Sequence, residues 1–312
     1  MVPAPSPSDP DEPASVDGGT SGGARVVLAD FGLSRALTVQ WLFVGTLGFA
    51  VSLSLFGALY AAVTGADPTL LVDLPGAGWW NGAASLLVFV LLTMGVVAPH
   101  EYVHGLAIRY CGGTPHYGVG LSHFVLPYAY ATTSHEFSRN QFVGVALAPL
   151  VVLSGVGVAA MLVFEWGWLV VPLAANAGGA VGDVWMTLTV LAYPEHVRVT
   201  DHATGVRIVG RASDRPHAHS PTTAVWDVFV GVAVATLGAL LALGLFGPFV
   251  LDALGVDSLT VGDPETLWYL FAFESSPTEI SYAVGPVVLA VGGALGLAYG
   301  LLRNYRRHAR RE

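Results

Sequence analysis

The sequence predicts an all-α polytopic membrane protein with about six transmembrane helices and small β-hairpin elements in its cytoplasmic loops. Three observations lead there. Of 312 residues 54% are apolar and only 11% charged, with a mean hydropathy of +0.62, which is too little polar surface to clothe a soluble globule. The apolar residues gather into runs of the ~20 residues that a helix needs to cross a bilayer. All thirteen basic residues are arginines, and they fall on one side of those runs.

The chain opens with a stretch rich in Pro, Ser, Asp and Gly that has neither a basic n-region nor an apolar h-region. Residues 1–35 are therefore expected to be a disordered acidic tail and not a signal peptide, and the first span acts as its own insertion signal. A membrane domain follows over 36–303, with spans at roughly 38–64, 83–111, 141–164, 167–192, 223–251 and 281–302. Trp41, Trp79, Trp80, Trp166, Trp168 and Trp226 mark span ends, as aromatics at membrane interfaces do. Between the second and third spans, Tyr117 to Tyr130 carries β-type residues and turns. Between the fourth and fifth, VRVTDHATGVRIVG alternates like a hairpin around Asp201 to Gly205. Residues 304–312 form a basic tail. In the last span Gly292, Gly296 and Gly300 make a small-residue seam for helix packing.

Arginine sets the orientation. With a cytoplasmic amino terminus, Arg139, Arg198, Arg207, Arg211, Arg215 and the tail all lie inside, so the positive-inside rule places both termini in the cytoplasm of a multi-pass cell-membrane protein. The arginines follow this topology and form no compact basic domain, so a nucleic-acid partner is not expected. Cys111 is the single cysteine and cannot form an intrachain disulfide or help build a thiolate metal site.

The chemistry is concentrated in the second span, where residues 100–105 read HEYVHG. On a helix His100 and His104 are one turn apart on one face, so both imidazoles reach one metal while Glu101 lies beside the open coordination position as a base. Ionisable groups within a span are costly and mark function. A site of this kind needs a third protein ligand, and Asp183 in the fourth span is the natural candidate. His100 and Asp183 lie about 17 and 16 residues from the outer ends of their helices, or ~25 Å, so they reach the same level in the cytoplasmic half of the bilayer. Pro99 cannot donate to the carbonyl of Gly95, which predicts a bend just before the histidines. Asn176, Gly179 and Asp183 share a helix face: Gly179 is expected to admit the second helix, and Asn176 to hydrogen-bond a substrate backbone or an oxygen held by the metal. His116, His123, His135, His202, His217 and His219 read as solvated loop residues.

HEYVHG at the inner end of one span, a polar strand-bearing loop, and an Asn176 to Gly182-Asp183 segment in a later span together resemble the zincin peptidase family of membrane proteins. That family itself resembles the site-2 intramembrane metalloproteases. The resemblance covers roughly residues 83–210 and implies Zn2+ on His100, His104 and Asp183, with Glu101 as general base. The chain departs from the site-2 pattern in having Gly-Asp where that group has Asp-Gly, and in having no proline after Asn176. The activity implied is zinc-dependent hydrolysis of peptide bonds in or near the membrane, with a membrane protein or peptide as substrate and partner beside the lipid bilayer. A zinc hydrolase of lipid amides or esters would need the same metal and base. A non-catalytic metal-binding transporter or regulator would need a further polar path across the spans.

Overall fold

The computed structural model describes residues 25–68, 80–121, 127–202, 205–216, 221–266, 268–276 and 280–309. Most of the expected acidic tail lies outside these residues, as do Trp79, His123, His217 and His219. The tail expected over 1–35 is nevertheless too long. Arg25–Gly32 forms strand β1, because RVVLADFG alternates well enough to pair along an existing strand.

Six helical segments among the described residues are long and apolar enough to cross a membrane. The first is α1 (Arg35–Thr64), started by the Ser34 side chain, which accepts from the Leu37 amide, and ended by Gly65 in the left-handed conformation. The second is divided into α2 (Trp80–Gly95) and α3 (Val97–Tyr110). The break falls at Val96, where Pro99 leaves the Gly95 carbonyl without its helical donor, as expected from the sequence. The third, α4 (Arg139–Val163), opens on a reciprocal capping box between Ser138 and Gln141. The fourth is also divided, into α5 (Val170–Gly179) and α6 (Val181–Leu191), meeting at Ala180. The fifth runs through α7 (Pro221–Leu241), a π-helical stretch over Ala242–Phe246, and α8 (Gly247–Ala253). The sixth is α9 (Val287–Ala309).

Two expectations for these helices need correction. The last span does not begin at 281: Ile280–Val284 is a strand, and the helix starts only after Pro286, which suits a first helical turn. Gly179 does not admit the second helix, since a Cβ there would meet nothing within 4 Å. The close approach is made by its neighbour. A Cβ on Gly178 would stand 2.8 Å from the Gly45 carbonyl oxygen and 2.9 Å from the Phe49 Cβ, so α5 crosses α1 and not α2 at this level. The seam on α9 is present: added Cβ atoms at Gly292, Gly296 and Gly300 would run into Thr236, Val232 and Val228 of α7. Beyond Gly300 along α9, buried Asp227 of α7 lies 3.5 Å from Arg303.

The connections are more β-rich than expected. Strands β2 (His116–Leu121) and β3 (Pro127–Thr132) form one antiparallel pair. Strands β4 (Glu136–Ser138), β5 (Arg198–His202) and β6 (Gly205–Arg211) join β1 in an antiparallel sheet of order β1-β6-β5-β4. This sheet draws on three regions of the chain: before the first long helix, between the second and third, and between the fourth and fifth. Direct pairing requires all three to emerge on the same side. A third sheet, β7 (Ser258–Val261), β8 (Phe271–Ser275) and β9 (Ile280–Val284), was not foreseen. It lies between the fifth and sixth helices, so strands are not confined to the loops expected to be cytoplasmic.

The main hydrophobic core joins helices to sheet, with Ile108, Phe142, Val145 and Val190 packed against Phe137, Val197, Val199, Val206 and Ile208. Arg139 reinforces this junction by donating to the Tyr193 carbonyl at 2.9 Å and to Glu195 at 3.1 Å. The functional residues lie directly against this core.

Candidate metal centre

Three polar side chains converge where α3, α4 and α6 meet. His100, His104 and Asp183 are 9%, 9% and 8% exposed, and one ligand atom from each lies within 4.8 Å of the others. His100 Nε2 is 3.2 Å from Asp183 Oδ2, and His104 Nε2 is 3.4 Å from Asp183 Oδ1. Two atoms bound at about 2.05 Å with tetrahedral angles stand about 3.3 Å apart, so these separations suit a single zinc-sized ion held between them. The donor set, two imidazoles and one carboxylate, is that of a hydrolytic zinc site with an open position.

The outer nitrogens of both rings are already engaged, which fixes how the rings point. His100 Nδ1–H donates to Asn176 Oδ1 at 2.9 Å, and His104 Nδ1–H donates to the Val145 carbonyl at 3.0 Å. In these tautomers each Nε2 carries a lone pair toward Asp183, as such buttressing of metal-binding histidines requires. The Val145 carbonyl is free to accept because the residue four positions on is Pro149, which has no N–H to close the helical hydrogen bond. An ordinary residue at 149 would compete for that oxygen. Pro149 is thus built into the site, and its signal in the sequence was a proline inside an apolar run.

Asn176 does not occupy the place expected for it. It is 1% exposed, its carbonyl oxygen holds His100, and its amide nitrogen donates to the Pro149 carbonyl and to Ser154 Oγ, both at 3.3 Å. With each end engaged inside the protein it positions a histidine and does not face a substrate. The divided fourth helix allows this: Asn176 on α5 and Asp183 on α6 both reach His100, one at each ring nitrogen.

Glu101, half-buried, faces a cavity of about 370 Å³ that also exposes His100, His104 and Asp183. The walls are mainly apolar, from Leu37, Trp41 and Leu42 of α1, Phe142 of α4, and Trp185 and Met186 of α6. Residues 128–132 of β3 form one rim, and the Ala131 amide donates to the Glu101 carboxylate. Strand β3 pairs only with β2 among the described residues, so the edge carrying the Ala131 amide is turned to the cavity. Gly105, directly after the second histidine, leaves the space filled by the Tyr117 ring of β2. The hairpin expected around residues 201–205 is present, with β5 pairing to β6 down to His202 and Gly205; Asp201 lies on β5, pairs with Val206 and lines the cavity.

Residues 93–198, about a third of the chain, match a protein family described as "Putative zincin peptidase". The matched segment contains His100, Glu101, His104, Asn176 and Asp183. The family implies a metallopeptidase and zinc. Neither a curated protein nor a solved structure matches the chain.

Proposed function

We propose that the chain is a zinc-dependent metallopeptidase embedded in the cell membrane, with both termini in the cytoplasm, that hydrolyses peptide bonds in or beside membrane segments of its substrates. His100, His104 and Asp183 hold the metal and Glu101 is the general base. The observation that carries this reading is the convergence of two imidazole Nε2 atoms on one buried carboxylate, with each ring pinned from behind.

A bound zinc ion lowers the pKa of water and polarises a carbonyl. The residues supply the rest. Glu101, open to the cavity, takes a proton from the attacking water and passes it to the departing amine, so the base returns to its starting state. The apolar walls take up side chains of a membrane segment and keep bulk water out. A peptide bond inside a helix is shielded by its own hydrogen bonds. The unpaired edge of β3 offers an alternative partner, along which an unwound substrate strand adds beside Glu101.

Glu101→Gln tests the assignment. The variant should keep stoichiometric zinc and lose hydrolysis of a quenched fluorescent peptide, because an amide keeps the shape but cannot accept the proton. His104→Ala should lose both metal and activity. Full activity in Glu101→Gln would remove Glu101 from the mechanism.

A further inference from the structure

Asn176 and Asp183 reach His100 from the two halves of the fourth helix, one at each ring nitrogen. Gly179 lies between them in the chain and on the same helical face. It is exposed, and it lines the cavity together with His100, Glu101, His104 and Asp183. A Cβ built on it would meet no atom within 4 Å. Beside two residues of the metal centre the wall of the cavity therefore has no side chain.

The neighbouring glycines have plain structural uses. A Cβ on Gly178 would run into Gly45 and Phe49 of α1, and one on Gly182 would stand 3.3 Å from the Trp41 ring. Packing makes no such demand at Gly179. The path of the chain makes none either. Gly179 ends α5 without the left-handed conformation that Gly65 adopts after α1, and the junction with α6 falls on Ala180, whose φ of −69° suits any residue. Glycine is a poor helix former, so its place here needs another reason. What its missing side chain leaves is room in the cavity beside the metal ligands.

We infer that Gly179 sets substrate specificity: it keeps this part of the cavity open for a large aliphatic or aromatic side chain on a residue flanking the peptide bond to be cut. The inference rests on the peptidase reading. A bond held between the metal ligands and Glu101 carries its flanking side chains into the space beside them. The walls there are mainly apolar, with Trp41, Leu42 and Trp185 among them, so a bulky apolar side chain fills the space well and a small one leaves it unfilled. A larger residue at 179 would take up the same room and select against bulk at that substrate position.

The test uses the full-length, zinc-loaded protein in detergent and compares wild type with Gly179→Ala and Gly179→Leu. The probes are quenched fluorescent apolar peptides in which each residue flanking the cleaved bond, located by mass spectrometry, is in turn Ala, Leu or Phe. At one of these positions wild type should prefer Leu or Phe to Ala. Gly179→Leu should lower that preference on the order of 10²-fold, and Gly179→Ala should lower it about tenfold. The preference is a ratio of kcat/KM values for two peptides, so an even loss of activity from a loosened fold leaves it unmoved. Both variants should hold stoichiometric zinc. No preference in wild type for a large residue at either position, or the same preference in all three proteins, would overturn the inference and leave the peptidase reading intact. So would loss of zinc from Gly179→Leu, because the space would then belong to the metal ligands and not to substrate. A wild type that holds zinc and cleaves none of the peptides would sink both.

Discussion

At the scale of single residues the site is two layers deep, and only the inner layer follows from a motif. HEYVHG names His100, Glu101 and His104 outright, because few other purposes justify two imidazoles and a carboxylate in an apolar helix. Asp183 was legible by depth alone. The outer layer was not, because hydrogen bonds that turn a ring depend on which carbonyls are left free. Asn176 was read as facing substrate, yet it spends both ends of its amide inside the protein. Pro149 tests this layer. Pro149→Ala supplies an N–H for the Val145 carbonyl and so competes with His104 for it. Zinc affinity, measured by competition with a chelator, should fall by about 10- to 100-fold, the range typical for loss of a group that orients a metal ligand. Helix content should not decrease. Unchanged affinity would show that the freed carbonyl does not hold the ring.

At the scale of elements, apolar runs located the six long helices to within a few residues except at both ends of α9, which starts at Val287 and runs on to Ala309 through part of the expected basic tail, but not the breaks within them. The break after Gly95 was foreseen from Pro99; the one at Ala180 has no proline and was missed. Hydropathy misplaced the start of α9 because Ile280–Val284 is apolar in either conformation, and pairing with β8 decided it. Strand β1 was missed for the same reason, since its partner β6 lies far away in sequence. The crossing of α1 and α5 yields a prediction. A side chain at Gly178 must displace the Gly45 carbonyl and Phe49, so Gly178→Leu should destabilise the protein by about 1–3 kcal/mol or more, an overpacking effect. Gly179→Ala next to it meets nothing and should melt close to wild type. Equal melting temperatures for the two variants would contradict this crossing.

At the scale of the whole molecule, the sheet that joins three regions of the chain gathers Arg25, Arg198, Arg207 and Arg211 on the side of the cavity rim, and charge alone is the ground for proposing that this side is cytoplasmic. In a Cys111→Ser background, an impermeant thiol reagent should reach a cysteine at exposed Ser258 in intact cells, and one at exposed Ser213 only after the cytoplasmic face is opened. The reverse pattern would invert the protein. The order β1-β6-β5-β4 also has a consequence for how the protein comes into being. The first strand synthesised pairs with the last strand of that sheet, and Asp183 is made well after the two histidines. During synthesis His100, Glu101 and His104 are therefore made before Asp183 and before the strands that close the sheet. The cavity that these residues line is not closed until β6 docks on β1.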